Sequence, residues 1–242
     1  GDMAEPVSTQ TAKGQEIEDQ SFAIIDAEVG PHRYSALEWP VVRRAIHATA
    51  DFEFARGSGL IFHPTAIPAG LAALRGGKPL IVDVDMVRVG INMTRLGKYG
   101  GSVHCFISDT DVIEEARRQG TTRAVVSMQK AAPLMDGAVV VNGNAPTALL
   151  EVVRLVRAGE IRPGLIVGVL VGFVSAPEAK QALLGLPGGS AVQVRSAQLR
   201  SALDPSGGRG RGGRPGLAHR VRGQQAGLGG VHHLDHQGVF VF

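Results

Sequence analysis

The chain has 242 residues, 44% hydrophobic and 19% charged, with 33 glycines, 13 prolines and one cysteine. That apolar content over that length can bury a core, which excludes a wholly disordered chain, and one cysteine excludes an intrachain disulfide framework. The formal charge of +3 is unevenly placed: residues 187–242 carry seven arginines, no lysine and two acids, which leaves residues 1–186 at −2.

In chain order, Gly1 to Thr11 lacks the positive start and apolar stretch of a secretory signal. Gln15 to Val29 sets Ile17, Phe22, Ile24, Ile25 and Val29 on a polar background and predicts a helix. Ser35-Ala36-Leu37-Glu38 fits a capping box, in which hydroxyl and carboxylate each accept an orphan amide, and opens a second helix to about Asp51. Its core stripe is Val41, Val42, Ala45, Ile46 and Thr49. Pro64 to Leu74 predicts a third helix stopped by Gly76-Gly77, and Pro79 to Val84 a strand. Ser102 to Ile107 is the next strand, and its Cys105 is expected as a reduced, buried thiol of a cytosolic protein. Asp109 then caps a helix with acids in its first turns, Arg117 and Arg118 in its last, and Gly120 as its stop. Thr121 to Ala131 continues helical, Ala138 to Val141 is a strand, and Asn144-Ala145-Pro146-Thr147 opens a helix to about Ala158. Leu165 to Val171 is a strand, and Ser175-Ala176-Pro177-Glu178 a second capping box with a helix to about Leu184. The apolar run Leu165 to Ala176 falls short of the roughly 20 residues of a membrane span, so no membrane association is expected.

Strands alternating with helices predict an α/β fold with a mainly parallel sheet covered on both faces, because parallel neighbours need crossover connections. In such sheets ligands bind outside the carboxyl ends of the strands, which places Asp83, Asp85, Ser108, Asn142, Asn144 and Ser175 on the functional edge. No P-loop, dinucleotide fingerprint, nucleophile elbow or His-Glu-x-x-His motif is present; the Gly57-Ser58-Gly59 turn lacks the third glycine. On the second helix, Arg43, Arg44, His47 and Asp51 share one side. They read either as a solvated polar face or as a proton donor, His47, beside an arginine that holds an anionic ligand. The helix start at Asn144 likewise reads as simple capping or as a site for a carboxylate, and the Val171-Gly172-Phe173-Val174-Ser175 turn as a tight bend or a close approach to ligand. In residues 187–242, His232-His233-Leu234-Asp235-His236 has the look of a metal set and the Arg-Gly runs that of an RNA-binding segment. Neither has the periodic apolar pattern or interleaved aromatics that would support it, so no metal and no nucleic-acid partner is expected.

Several motifs, in one order, resemble the precorrin-8X methylmutases, including the cobalt-precorrin-8 branch. They are Gln20-Ser21-Phe22-Ala23-Ile24-Ile25, Arg44-Ala45-Ile46-His47-Ala48-Thr49-Ala50-Asp51-Phe52-Glu53, Gly90-Ile91-Asn92, Phe106-Ile107-Ser108-Asp109, Gln119-Gly120-Thr121-Thr122-Arg123, Gly143-Asn144-Ala145-Pro146-Thr147-Ala148-Leu149 and Val171-Gly172-Phe173-Val174. The resemblance implies an isomerase of cobalamin biosynthesis with a three-layer α/β/α, flavodoxin-like fold, acting as a cytoplasmic homodimer. Such an enzyme moves a methyl group from C-11 to C-12 of a corrinoid without a cofactor of its own; cobalt enters only with the substrate. It also implies His47 as the catalytic proton donor and acceptor, and Ser21, Arg44 and Arg123 as substrate-binding residues. A corrinoid-binding protein without activity, or an inactive truncated homologue, is the alternative, and nucleic-acid binding through the Arg-Gly tail a weaker one. After the last motif Ser175-Ala176-Pro177-Glu178-Ala179-Lys180 keeps the family's glutamate and lysine but changes the residues around them, and the pattern breaks near Leu186. The expected organisation is therefore a flexible N-terminus over 1–13, a methylmutase domain over 14–186, and over 187–242 an aberrant Gly/Arg/His-rich tail of frame-shifted or unrelated sequence. That break would deprive the domain of its last strand and helix.

Overall fold

The computed structural model of the chain describes residues 11–56, 59–170, 176–186 and, as backbone, 191–194. The first layer starts with α1 (Ala12–Val29), capped by the Thr11 hydroxyl, which accepts the amide of Gly14. It begins inside the stretch expected to be flexible. In α2 (Trp39–Thr49) the capping box forms as expected: the Ser35 amide donates to Glu38 and the Glu38 amide to Ser35. Those bonds close a turn ahead of the helix, however, so Pro40 falls at the second helical residue, where its missing N–H costs nothing. A single 3-10 turn (Phe52–Phe54) then leads into β1 (Leu60–Phe62).

The remaining elements are α3 (Ala66–Arg75), β2 (Leu80–Val82), α4 (Asp85–Gly90), α5 (Met93–Gly97), β3 (Val103–His104), α6 (Thr110–Gln119), α7 (Arg123–Ala131), β4 (Val139–Asn142), α8 (Pro146–Arg157), β5 (Leu165–Gly168), α9 (Ala176–Leu184) and β6 (Ala191–Val194). Apart from the strands β1 and β6 and the helices α4 and α5, these match the elements expected from sequence. Across the sheet the order is β1-β6-β5-β4-β2-β3, with β1 antiparallel to β6 and every other pair parallel. Numbered among themselves, the five parallel strands run 2-1-3-4-5, the flavodoxin-like order. β6 lies five to eight residues past residue 186, the expected limit of the domain, and it pairs with both β5 and β1.

The two faces of the sheet separate by the two-residue period of the strands. Leu80, Val82, Val139, Val141, Leu165 and Val167 face one layer, where α2 packs with Val42, Ala45 and Ile46. Ile81, Val140 and Ile166 face the other, which α7, α8 and α9 cover with Met128, Ala131, Leu149, Val152 and Leu183. The central strands β2, β4 and β5 are buried on both sides, as a parallel sheet inside a three-layer fold requires. No helix among the described residues is long and apolar enough to cross a membrane. The Gly57-Ser58 pair, the 171–175 turn with its Ser175 cap, and the Arg-Gly and histidine runs lie outside the described residues.

Candidate functional site

The strand order reverses between β2 and β4, the switch point at whose carboxyl ends open α/β sheets take ligands. Asp83, which follows β2, is fully buried there. Its Oδ1 accepts the amide of Gly143 at 3.1 Å, and its Oδ2 the amides of Asn144 and Ala145 at 2.8 and 2.7 Å. Burial pushes the Asp83 carboxyl up from its ordinary value, and the three amides pull against that shift. Gly143 is required at this point, because a Cβ there would stand 2.6 Å from Cγ2 of Val87. The anion position expected at the start of α8 is thus taken by the protein's own carboxylate, and the Asn144 side chain does not cap the helix.

Of the other residues expected on this edge, Asn142 is fully buried, its amide nitrogen 3.9 Å from the Met128 sulfur, and so is not open to a ligand. Asp85 is half-buried and accepts from Arg88 at 2.8 Å and from the Ser108 hydroxyl at 3.1 Å; Arg88 holds its carboxyl below the usual range. Cys105, expected buried, is half-buried because β3 ends at His104, before the cysteine enters the core; partial burial still pushes its thiol up.

The residues of the proton-donor reading gather elsewhere, on the α1–α2 pair. Phe22 of α1 is the centre: the Arg43 and Arg44 guanidinium carbons lie 4.4 and 4.8 Å from its ring centroid, and the His47 ring is 5.2 Å away. His47 is half-buried, and neither ring nitrogen has a hydrogen-bond partner among the described residues. The Arg44 fork, expected to be open to substrate, is engaged by Glu18, at 3.0 and 2.8 Å. The Ser21 hydroxyl donates to the Ile17 carbonyl one turn back, at 2.8 Å. Asp51 does not share the helix face with His47. α2 ends at Thr49, Ala50 adopts a left-handed φ of 55°, and Asp51 caps the following 3-10 turn through the amide of Glu53.

Arg123 lies on the opposite layer, as the first residue of α7, exposed and without a side-chain partner among the described residues. The hydroxyls of Thr122 and Thr147, 3.1 Å apart, tie the start of α7 to the start of α8. The structure therefore brings Ser21, Arg44 and His47 onto one pair of helices and keeps Arg123 apart from them across the sheet. Sequence reasoning placed Phe22 in a motif but gave no hint of its role as a shared platform, nor of Glu18 as the partner of Arg44. Both are contacts between separate helices.

The model of the precorrin-8X methylmutase family matches residues 16–197. The chain belongs to this family. A cobalt-precorrin-8 methylmutase of Priestia megaterium is 47% identical over 207 residues, covering 81% of this chain and 91% of the relative. One of Leptospira interrogans is 52% identical over 178 residues, covering 73% and 80%. The crystal structure of a precorrin-8x methyl mutase from Thermus thermophilus superposes with a TM-score of 0.69 at 44% identity, covering 76% of this chain and 87% of that one. The methylmutase match runs past residue 186 and takes in β6.

Proposed function

We propose that this methylmutase, an isomerase of cobalamin biosynthesis, moves a methyl group from C-11 to C-12 of its corrinoid substrate, with His47 as the acid. The observation that supports this reading is a half-buried imidazole with neither nitrogen engaged among the described residues, flanked by two arginines on one aromatic platform. A histidine near neutrality can deliver a proton to the conjugated macrocycle and recover it afterwards. Protonation draws electron density from the ring system, the methyl group leaves C-11 with its bonding pair and joins C-12, and loss of the proton restores neutrality. Substrate and product are isomers, so the step balances without oxidant, reductant or cofactor. Cobalt, where present, belongs to the substrate.

The substrate is a flat, largely apolar ring fringed with carboxylates, which suits arginines held around an aromatic face. Arg44 reaches a substrate carboxylate by exchanging Glu18 for it or through the N–H groups that Glu18 leaves free. Ser21 and Arg123 are further substrate contacts in this reading. A cytoplasmic homodimer completes it, and nucleic acid has no part, since the basic excess is confined to residues 187–242. The test is incubation of the purified protein with precorrin-8X, followed by absorbance. Conversion by the parent and its loss in His47→Ala, with corrinoid binding retained, is expected; conversion by His47→Ala at the parent rate overturns the acid assignment. Binding by the parent without spectral change to product would instead mark a corrinoid-binding protein.

A further inference from the structure

We infer that Lys180 is a further substrate-binding residue, whose buried side chain supplies the counter-charge for one carboxylate on the rim of the corrinoid. α9 buries Ala176, Ala179, Lys180 and Leu183, the i, i+3, i+4, i+7 stripe of a core-facing helix, and Lys180 is its one charged member. Its exposure is 2%, whereas Glu178 beside it in sequence is exposed. The other buried charges among the described residues are compensated. Asp83 accepts three amides, and Glu151 pairs with Arg154 and Gln129. Lys180 has no hydrogen bond or ion pair among the described residues. Burial alone lowers its pKa, to about 8, with no acid acting against that shift.

An ammonium taken out of water without a partner is costly, and a stripe of alanine and leucine gives no structural reason to keep one. Long helical side chains lean toward the amino end of their helix. α9 follows β5, so its amino end lies toward the carboxyl edge of the sheet, the edge on which open α/β folds take ligands. β5 is the neighbour of β4, which puts it one strand spacing, about 4.8 Å, from the strand at which the order reverses. A macrocycle carrying carboxylates around its rim can span that interval. The inference rests on the corrinoid reading of the preceding subsection.

The test compares Lys180→Met and Lys180→Gln with the parent in binding titrations with hydrogenobyrinate and with its fully methyl-esterified form, in which no carboxylate is charged. The expected result is at least tenfold weaker binding of the free acid by both variants, little or no difference for the ester, and thermal stability in Lys180→Met equal to or above the parent's. Equal binding of the free acid by parent and variants overturns the inference, and so does an equal loss for acid and ester, which marks a structural role. A parent that binds neither form overturns the corrinoid reading itself, and this inference with it.

Discussion

Asp83 is an internal strut between the end of β2 and the turn into α8, and removing it should be expensive. In Asp83→Ala the amides of Gly143, Asn144 and Ala145 lose the carboxylate that accepts them at 2.7–3.1 Å. Hydrogen bonds to a charged acceptor are worth about 1.5–3 kcal/mol each, and leaving a buried donor unpaired costs about 1–3 kcal/mol. Asn144 is exposed and can rehydrate, while Gly143 and Ala145 are half-buried. Release of the buried carboxylate offsets part of the loss, so the net destabilisation is about 2–4 kcal/mol. For a domain of this size that lowers Tm by about 5–15 °C. Asp83→Asn keeps one oxygen for Asn144 and Ala145 but turns an NH2 group toward the Gly143 amide, so it should fall between parent and Asp83→Ala. Urea unfolding followed by circular dichroism measures the series. Because burial raises the carboxyl's folded-state pKa, the parent's advantage is greatest below the unfolded value of 3.8 and shrinks as pH rises through the folded value. An Asp83→Ala protein within 0.5 kcal/mol of the parent, an order-of-magnitude threshold of roughly the effect of a neutral surface change, refutes the strut.

Three further outcomes follow from the packing. A chain ending after Leu186 loses β6, which joins β5 to β1, and should be insoluble or unfolded, whereas one ending after residue 197 should fold; equal solubility of the two would remove β6 from the account. Gly168→Ala sets a Cβ 2.8 Å from Cδ2 of Leu183 and 3.1 Å from Cδ2 of Leu149, both buried, and should cost about 1–3 kcal/mol in urea unfolding. The Lys180 pKa falls from 10.5 to about 8 on folding, so its contribution is present above pH 10.5 and is lost as pH falls through 8. Parent stability should rise relative to Lys180→Met by up to about 3 kcal/mol across that window, and parallel pH profiles would sink the claim.

The elements that sequence showed best are those whose signals are local. α6 has acids at its start, arginines at its end and Gly120 at a φ of 64°, all inside one short segment. β4 and β5 are apolar runs bounded by turn residues. The missed elements are short or carry misleading surfaces. β1 has three residues, α4 and α5 expose Met86, Val89 and Met93, and β6 sits beside the glycine-rich stretch that broke the pattern. At the site, the position of His47 on α2 was legible from spacing, but its separation from Asp51 was not, since the left-handed residue between them is an alanine. Contacts between distant segments had no sequence signal. Asp83 meets amides about sixty residues away, and Arg44 meets Glu18 on another helix.

The placement of charges on two layers has a kinetic consequence. His47 and Arg44 stand on the α1–α2 layer and Arg123 on the α7–α8 layer, with the sheet between them, so within one chain a ligand that touches both runs across the sheet's edge. In the proposed reading that ligand is the corrinoid, and its contact with Arg123 would lie away from the carbons that exchange the methyl group. An anchor of that kind holds ground state and transition state alike, so Arg123→Ala should raise KM with kcat nearly unchanged. The proposed acid, His47, would act only as charge develops on the ring, so His47→Ala should lower kcat by about 100-fold or more with KM little altered. Steady-state kinetics with the corrinoid substrate separates the two. A fall in kcat at constant KM in Arg123→Ala would place that arginine at the reacting carbons, and the two-layer assignment of anchor and acid would be wrong.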